Sequence, residues 1–376
     1  MRLTLLPPLS LYIHWPWCRR KCPYCDFNSH TLSGAEDEAT YLAALLADLD
    51  AVRDLITGRR IESIFIGGGT PSLMQVGTLA TLLEAIAGRF SLADDVEITL
   101  EANPGASETA RFAGYRSAGV DRLSLGVQSF SAAQLVALGR IHDGAQALAA
   151  LAAALTHFPR VNVDLMFVLP GQTLASLERD LAIVCAAAPG QISAYQLTIE
   201  PHTAFHASPP PLPDEELAAA MHALIDERTS TAGYAHYEIS AYARPGEACR
   251  HNLNYWTFGD YLGIGAGAHS KLTLPDGRCR EARPRSPRAY LAQPTRRNWQ
   301  PVAEEDVPGE FMMNALRLTE GVPADLYEMR TGLSLAGIAR ALAAARQAGL
   351  LGEDASRLQP TPLGLRFLNR LIGYFL

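Results

Sequence analysis

Six apolar segments, residues 9–15, 61–66, 96–100, 122–127, 161–168 and 192–199, recur through the first two-thirds of the chain. Between and after them lie stretches with the length and patterning of helices, at 36–56, 75–88, 107–118, 131–156, 173–187 and 214–231. No other feature restricts the fold as much. Strands joined through helices run parallel with right-handed crossovers, because a twisted strand feeding a helix packs back onto its own sheet only in that hand. Several segments read as continuous apolar runs, as parallel strands covered on both faces do. The sequence therefore predicts an α/β fold in which six βα units curl into a partial (β/α)6, TIM-like barrel over residues 1–235. At 376 residues, 48% of them hydrophobic and 19% charged, the chain is long enough to carry a smaller unit beyond that core.

The pattern changes after residue 231. Residues 236–243 (HYEISAYA) read as one more strand, followed by CRHNLNYW (249–256), the Gly-rich GIGAGAHS (263–270) and a Pro/Arg-rich link over 275–300. This defines an α+β extension, 236–300. Segments at 305–319, 323–331 and 334–348, a short piece at 357–360 and a last helix to 376 read as a small helical, winged-helix-like domain over 301–376. A formal net charge of −7 argues against a nucleic-acid partner. The one candidate basic patch, REARPRSPR (280–288), reads more simply as a solvated loop. No apolar run approaches the roughly 20 residues of a membrane span, and residues 1–8 are too short for a signal peptide. The expectation is a cytoplasmic protein with no transmembrane segment, peripheral membrane association staying open.

In barrels of this kind the working residues gather where strands end and helices begin. The unusual polar segments fall there. A cysteine loop follows the first strand, GGGTP (67–71) the second, EANP (101–104) the third and GVQSF (126–130) the fourth, while Asp164 lies within the fifth. Three of the six cysteines, Cys18, Cys22 and Cys25, have C-x3-C-x2-C spacing. Three thiolates satisfy three irons of a 4Fe–4S cubane and leave the fourth iron open. A zinc site, with His14 or His30 as fourth ligand, is the alternative reading.

LYIHWPWCRRKCPYCDF resembles the signature of the radical S-adenosylmethionine (SAM) superfamily, and from Leu11 to the C-terminal helices the chain is similar to the oxygen-independent coproporphyrinogen oxidase group. CPYCDFNSH (22–30) and HNLNYW (251–256) point within that group to the heme chaperone branch. The resemblance implies that Cys18, Cys22 and Cys25 hold the cluster, that the amino and carboxylate groups of SAM chelate the open iron, and that Tyr12, Gly68, Gly69, Thr70, Glu101, Gln128, Arg140 and Asp164 complete the SAM site. Three of these assignments also have a reading from the residue itself. Glycines at a strand end permit close approach of a ligand to backbone amides. Arg140 suits a carboxylate through its fork. Asp164, inside VNVDLMFVLP, is too costly to bury without a partner or ligand.

In the dehydrogenases of the group a further cysteine stands two residues after the third; here that residue is Phe27. Their longer N-terminal extension is also missing, since only 17 residues precede Cys18. Porphyrinogen decarboxylation is therefore not expected. His251 is the candidate heme ligand, with Tyr255 and Trp256 packing on the porphyrin face and Cys249 as a rival ligand. His269 is a weaker site candidate, because GIGAGAHS is able to curl over the nucleotide; Cys185 and Cys279 read as a buried helix residue and a loop residue. The function implied is a heme-binding chaperone that delivers heme to recipient hemoproteins, respiratory components among them. The alternatives are an oxygen-independent coproporphyrinogen III dehydrogenase and another radical SAM enzyme, such as a methyltransferase.

Overall fold

The computed structural model describes residues 6–34 and 37–376. Glu36, where the first helix is expected to begin, and residues 1–5 of the amino-terminal segment lie outside the described residues. Six parallel strands stand side by side in chain order: β1 (Leu9–Trp15), β2 (Arg60–Gly68), β3 (Ser91–Ala102), β4 (Arg122–Gln128), β5 (Arg160–Phe167) and β6 (Gln191–Gln196). The helices between and after them include α1 (Glu38–Val52), α2 (Val76–Arg89), α3 (Gly144–His157), α4 (Leu174–Ala187) and α5 (Glu215–Thr231). The expected α/β architecture is present.

The strands are not apolar on both faces. Along β1 to β6 one face carries Leu11, Ile64, Leu100, Leu125, Val163 and Ile192, all in the main hydrophobic core beneath the helices. The alternate positions, among them Glu101, Arg122, Ser124, Asn162, Asp164 and Ser193, face a cleft on the concave side. The period of two in side-chain direction thus separates a greasy outer face from a polar inner one. The apolar reading held for one face only.

Beyond the six strands the sheet grows at both edges. At one edge β7 (Ala235–Glu238) and β8 (Ala241–Ala243) form an antiparallel pair on β6, so the expected strand at 236–243 is two strands with a turn between them. At the other, β9 (Asp260–Ile264) runs parallel to β1, and β10 (His269–Leu274), β11 (Gly277–Ala282) and β12 (Gln300–Pro301) follow antiparallel, giving twelve strands. The expected Pro/Arg-rich link thus holds a strand, Gly277–Ala282, and a short helix, Pro287–Ala292, and Cys279 is a buried strand residue. The reason is ionic: Arg283 and Arg297 are drawn inward by Asp48 and Glu281, with contacts of 2.5 to 3.2 Å among the four side chains. Arg280 pairs with Glu310 at 2.6 Å, so REARPRSPR is not a freely solvated loop.

Two expected helices are interrupted. The stretch 107–118 forms Ala106–Thr109 and Phe112–Ser117. The stretch 131–156 stops after Ala132–Ala137, where Gly139 takes a φ of +66°, and restarts as α3 behind a capping box between Asp143 and Gln146. Arg140 sits in that break. The HNLNYW segment lies in a helix, α6 (Arg250–Trp256). The C-terminal region has its own core around Phe311, Met312, Tyr327, Leu342 and Leu371, and the expected last helix is two short ones, Pro362–Arg366 and Leu368–Ile372. Among the described residues no helix is long and apolar enough to cross a membrane.

Candidate cluster and nucleotide cleft

The cysteine loop leaves β1 over an aromatic base in which the rings of Trp15, Trp17 and Tyr41 meet edge-on, with centroids 4.6 to 5.5 Å apart. Backbone bonds fix its course: the Leu32 amide donates to Cys18 O at 2.9 Å and the Cys25 amide to Cys22 O at 3.1 Å. From behind, Asn28 Nδ2 donates to Ala266 O at 2.9 Å. The Gly-rich turn therefore braces this loop, and His269 lies exposed on β10.

Cys18, Cys22 and Cys25 line one cleft of about 370 Å³. Burial pushes the Cys18 and Cys25 thiols up, and Arg140 Nη1 points at Cys22 Sγ from 3.6 Å. A cubane asks each cysteine for a different iron, so the thiols need not converge on one point. Among the described residues no three His, Cys, Asp or Glu side chains converge to hold a single metal ion. His14, one histidine of the zinc alternative, has both ring nitrogens engaged, by Tyr12 OH at 2.9 Å and Asn28 O at 2.8 Å. The donor set fits a three-cysteine cluster beside a cleft.

Gly68, Gly69, Thr70, Glu101, Gln128, Arg140 and Asp164 line the same cleft. The glycines are there for close approach. A Cβ on Gly68, whose φ is +117°, would stand 2.6 Å from His14 Cε1, and one on Gly69 would stand 2.6 Å from Trp17 O. Their amides, expected to face a ligand, are already taken: Gly68 N–H by Glu101 Oε2 at 3.1 Å, Gly69 N–H by Trp15 O at 2.7 Å and Thr70 N–H by Trp17 O at 2.8 Å. The GGGTP turn therefore welds the cysteine loop to β2 and presents its surface, not free amides, to the cleft.

Arg140 also differs from expectation. Its Nη2 donates to Asn103 Oδ1 at 2.5 Å and to Gly126 O at 2.8 Å, so its fork is spent inside the protein. Burial, with Asp164 nearby, raises Glu101 to about 8. Asp164 accepts from Ser124 Oγ at 3.2 Å and Asn162 Nδ2 at 2.8 Å, and burial raises it too. Gln128 ends β4 with a φ of +68° beside a bulge against β5, a strained conformation that turns the strand end toward the cleft. Tyr12, expected against SAM, does not line the cleft; its ring stacks on Phe65 and its hydroxyl is held by His14. Arg122, Ser124, Asn162, Gln191 and Ser193 complete the wall, and the sequence reading passed over them. For Arg122, Ser124 and Asn162 the signal was the alternation in RLS and RVNVD, polar at every second position.

His251 lies beneath the cleft, not on its wall. It is 2% exposed, with its ring 5.0 Å from Phe65, 5.1 Å from Tyr255 and 6.4 Å from Tyr12. Phe65 separates it from the cleft, which Phe65 lines. Ser63 Oγ contacts its Nδ1 at 3.1 Å, Ser10 Oγ contacts Ser63 at 2.8 Å, and Nε2 has no partner. Desolvation lowers this imidazole to about 3, so it is neutral. The aromatic residues expected to meet a porphyrin are already packed: Tyr255 lies against Tyr261 with centroids 4.4 Å apart, and Trp256 lies under Arg317 at 4.2 Å. Cys249, the rival ligand, is fully buried with its thiol raised to about 12 and directed at Glu97 Oε1, 3.5 Å away, which keeps it from being a thiolate.

The Radical SAM superfamily model matches residues 12–183, and the HemN C-terminal domain model matches residues 302–367. The chain is 46% identical to the heme chaperone HemW of Haemophilus influenzae over 99% of this chain and 98% of that one. It is 47% identical to the heme chaperone HemW of Escherichia coli over the full length of both. The radical S-adenosyl methionine domain-containing protein 1, mitochondrial, of Bos taurus is 37% identical over 96% of this chain and 86% of its own. Among solved structures, coproporphyrinogen III oxidase (HemN) from Escherichia coli shares the fold, with a TM-score of 0.83 over 98% of this chain and 90% of that one at 23% identity.

Proposed function

The chain belongs to the HemW family of the radical SAM superfamily, and we propose that it is a heme chaperone that carries a 4Fe–4S cluster and SAM and hands heme to recipient hemoproteins. When bound, the cluster supplies an electron and an open iron position at which SAM is chelated. Cys18, Cys22 and Cys25 hold it, and Arg140 fixes Cys22 from the side. Gly68, Gly69 and Thr70 shape the wall beside it, Glu101 and Asp164 offer carboxyl oxygens to the nucleotide, and Gln128 closes the strand end. Delivery to respiratory hemoproteins in the cytoplasm or at the inner face of a membrane is part of the same reading.

The observation that carries the heme half is His251: a neutral imidazole whose Nε2 has no partner although it is fully buried. An orphaned ring nitrogen with its other nitrogen held by a hydroxyl is the arrangement a metal-binding histidine takes, the second partner fixing which nitrogen is free. Phe65 must swing aside for a porphyrin iron to reach it. Phe27, 60% exposed at the cleft mouth, stands where the dehydrogenases place their extra cysteine. Heme titration followed by the Soret band tests the assignment: His251→Ala is expected to weaken binding by about tenfold or more, and unchanged affinity and spectrum would remove His251 as the ligand.

A further inference from the structure

Arg122 opens β4 and is 2% exposed, yet it forms no ion pair among the described residues. Its Nη2 donates to Gln191 Oε1 at 2.9 Å and its Nη1 reaches Thr99 Oγ1 only at 3.5 Å. The carboxylates whose charge acts on it, Glu97 and Asp164, are spent elsewhere. Glu97 accepts from the Arg160 guanidinium, from the backbone amides of Arg250 and His251, each at 3.2 Å, and from the Cys249 thiol. Asp164 is occupied by Ser124 and Asn162. Of the cleft's other two guanidiniums, Arg20 is exposed to solvent, and Arg140 has its donors on Asn103, Gly126 O and Cys22.

A guanidinium out of water with no carboxylate in direct contact is costly, and proteins tolerate it where a ligand completes the pair. Arg122 is not sealed in the hydrophobic core; it lines the cleft together with Gln191 and Asn252. We propose that Arg122 is the receptor for a carboxylate of the ligand that fills the deep part of the cleft, its fork receiving two oxygens and the Gln191 and Asn252 amides flanking it. Two carboxylate sources meet this chemistry: the amino-acid end of SAM and a propionate of heme. Only the identity of those ligands rests on the proposed function; the demand for a carboxylate comes from Arg122 itself.

The test compares each acid with its carboxyl-free counterpart on the cluster-loaded protein: heme against heme dimethyl ester, and SAM against decarboxylated SAM. In one pair the wild type's preference for the acid is expected to fall by about tenfold or more in R122Q, the open iron's own share of the SAM preference being the same in both proteins. The pair that responds names the source. Preferences that are the same in wild type and R122Q for both pairs, absent or present, overturn the proposal. If melting curves show that R122Q does not fold, R122K decides. Keeping the charge without the fork, it should bind the acid more weakly than wild type with the counterpart unaffected; wild-type affinity for the acid overturns the proposal. Should the wild type take up neither heme nor its ester, the heme reading has failed, and the SAM pair still judges Arg122.

Discussion

Glu101 is a residue at which folding and binding oppose each other. Its side chain is enclosed between Gly67, Gly68 and the cleft, and holds a proton up to about pH 8 because burial and the neighbouring Asp164 disfavour the anion. The folded value lies above the ordinary carboxylate value, so the native state keeps a proton that the unfolded chain releases. Stability is then fully present below the ordinary value and is lost as pH rises toward about 8. Glu101→Gln should flatten part of that loss. Denaturant unfolding of the cluster-free protein at pH 5 and pH 9 is expected to show a smaller difference for the variant than for wild type, while SAM affinity falls. An equal difference in both proteins would place the titration elsewhere. Glu101 and Asp164 were legible in the sequence because a carboxylate at a strand end, or inside an apolar run, needs a reason. Arg122 and Asn162 were not: read within runs dominated by Val and Leu, they passed as strand residues, and only the curl of the sheet turns every second position into a cleft wall.

The turn after β2 is the element on which the cluster loop depends, since Gly69 N–H and Thr70 N–H bond to Trp15 O and Trp17 O on either side of the loop's start. Gly69→Ala would press a methyl group onto the Trp17 carbonyl, backbone against side chain with no flexible end to yield. Anaerobic reconstitution of that variant is expected to incorporate markedly less iron and sulfide than wild type. Gly77→Ala serves as the control, because nothing lies within 4 Å of the added carbon and alanine favours the α2 helix; wild-type iron content in both variants would contradict the account. The strand–helix succession was readable because its periodicities are local. The break that holds Arg140 was not, because Ala-rich runs on both sides of it favour helix, and a left-handed Gly139 followed by the Asp143 cap separates them. HNLNYW escaped for the converse reason: its polar side chains look like a loop until Glu97, on another strand, receives the first amides of α6.

Across the whole molecule, residues 235–301 extend the barrel's sheet at both edges, while the residues beyond them have a core of their own. The buried quartet Asp48, Glu281, Arg283 and Arg297 ties α1 of the barrel to that extension. Removing one member strands a buried charge, so Asp48→Ala is expected to lower unfolding free energy by about 3–5 kcal/mol, measured by denaturant titration; a change within error would mean that the quartet is neutral. Such pairing joins residues more than two hundred positions apart, and nothing in a Pro/Arg-rich stretch announces it. The same continuity brings the cluster loop, the nucleotide cleft and His251 into one body, which is what a heme carrier with a radical SAM core requires. The measurement that bears most directly on this is anaerobic incubation of the cluster-loaded protein with dithionite, SAM and coproporphyrinogen III, with heme transfer to an apo-hemoprotein followed on the same preparation. The account predicts heme transfer and no protoporphyrinogen IX; catalytic formation of protoporphyrinogen IX would contradict it.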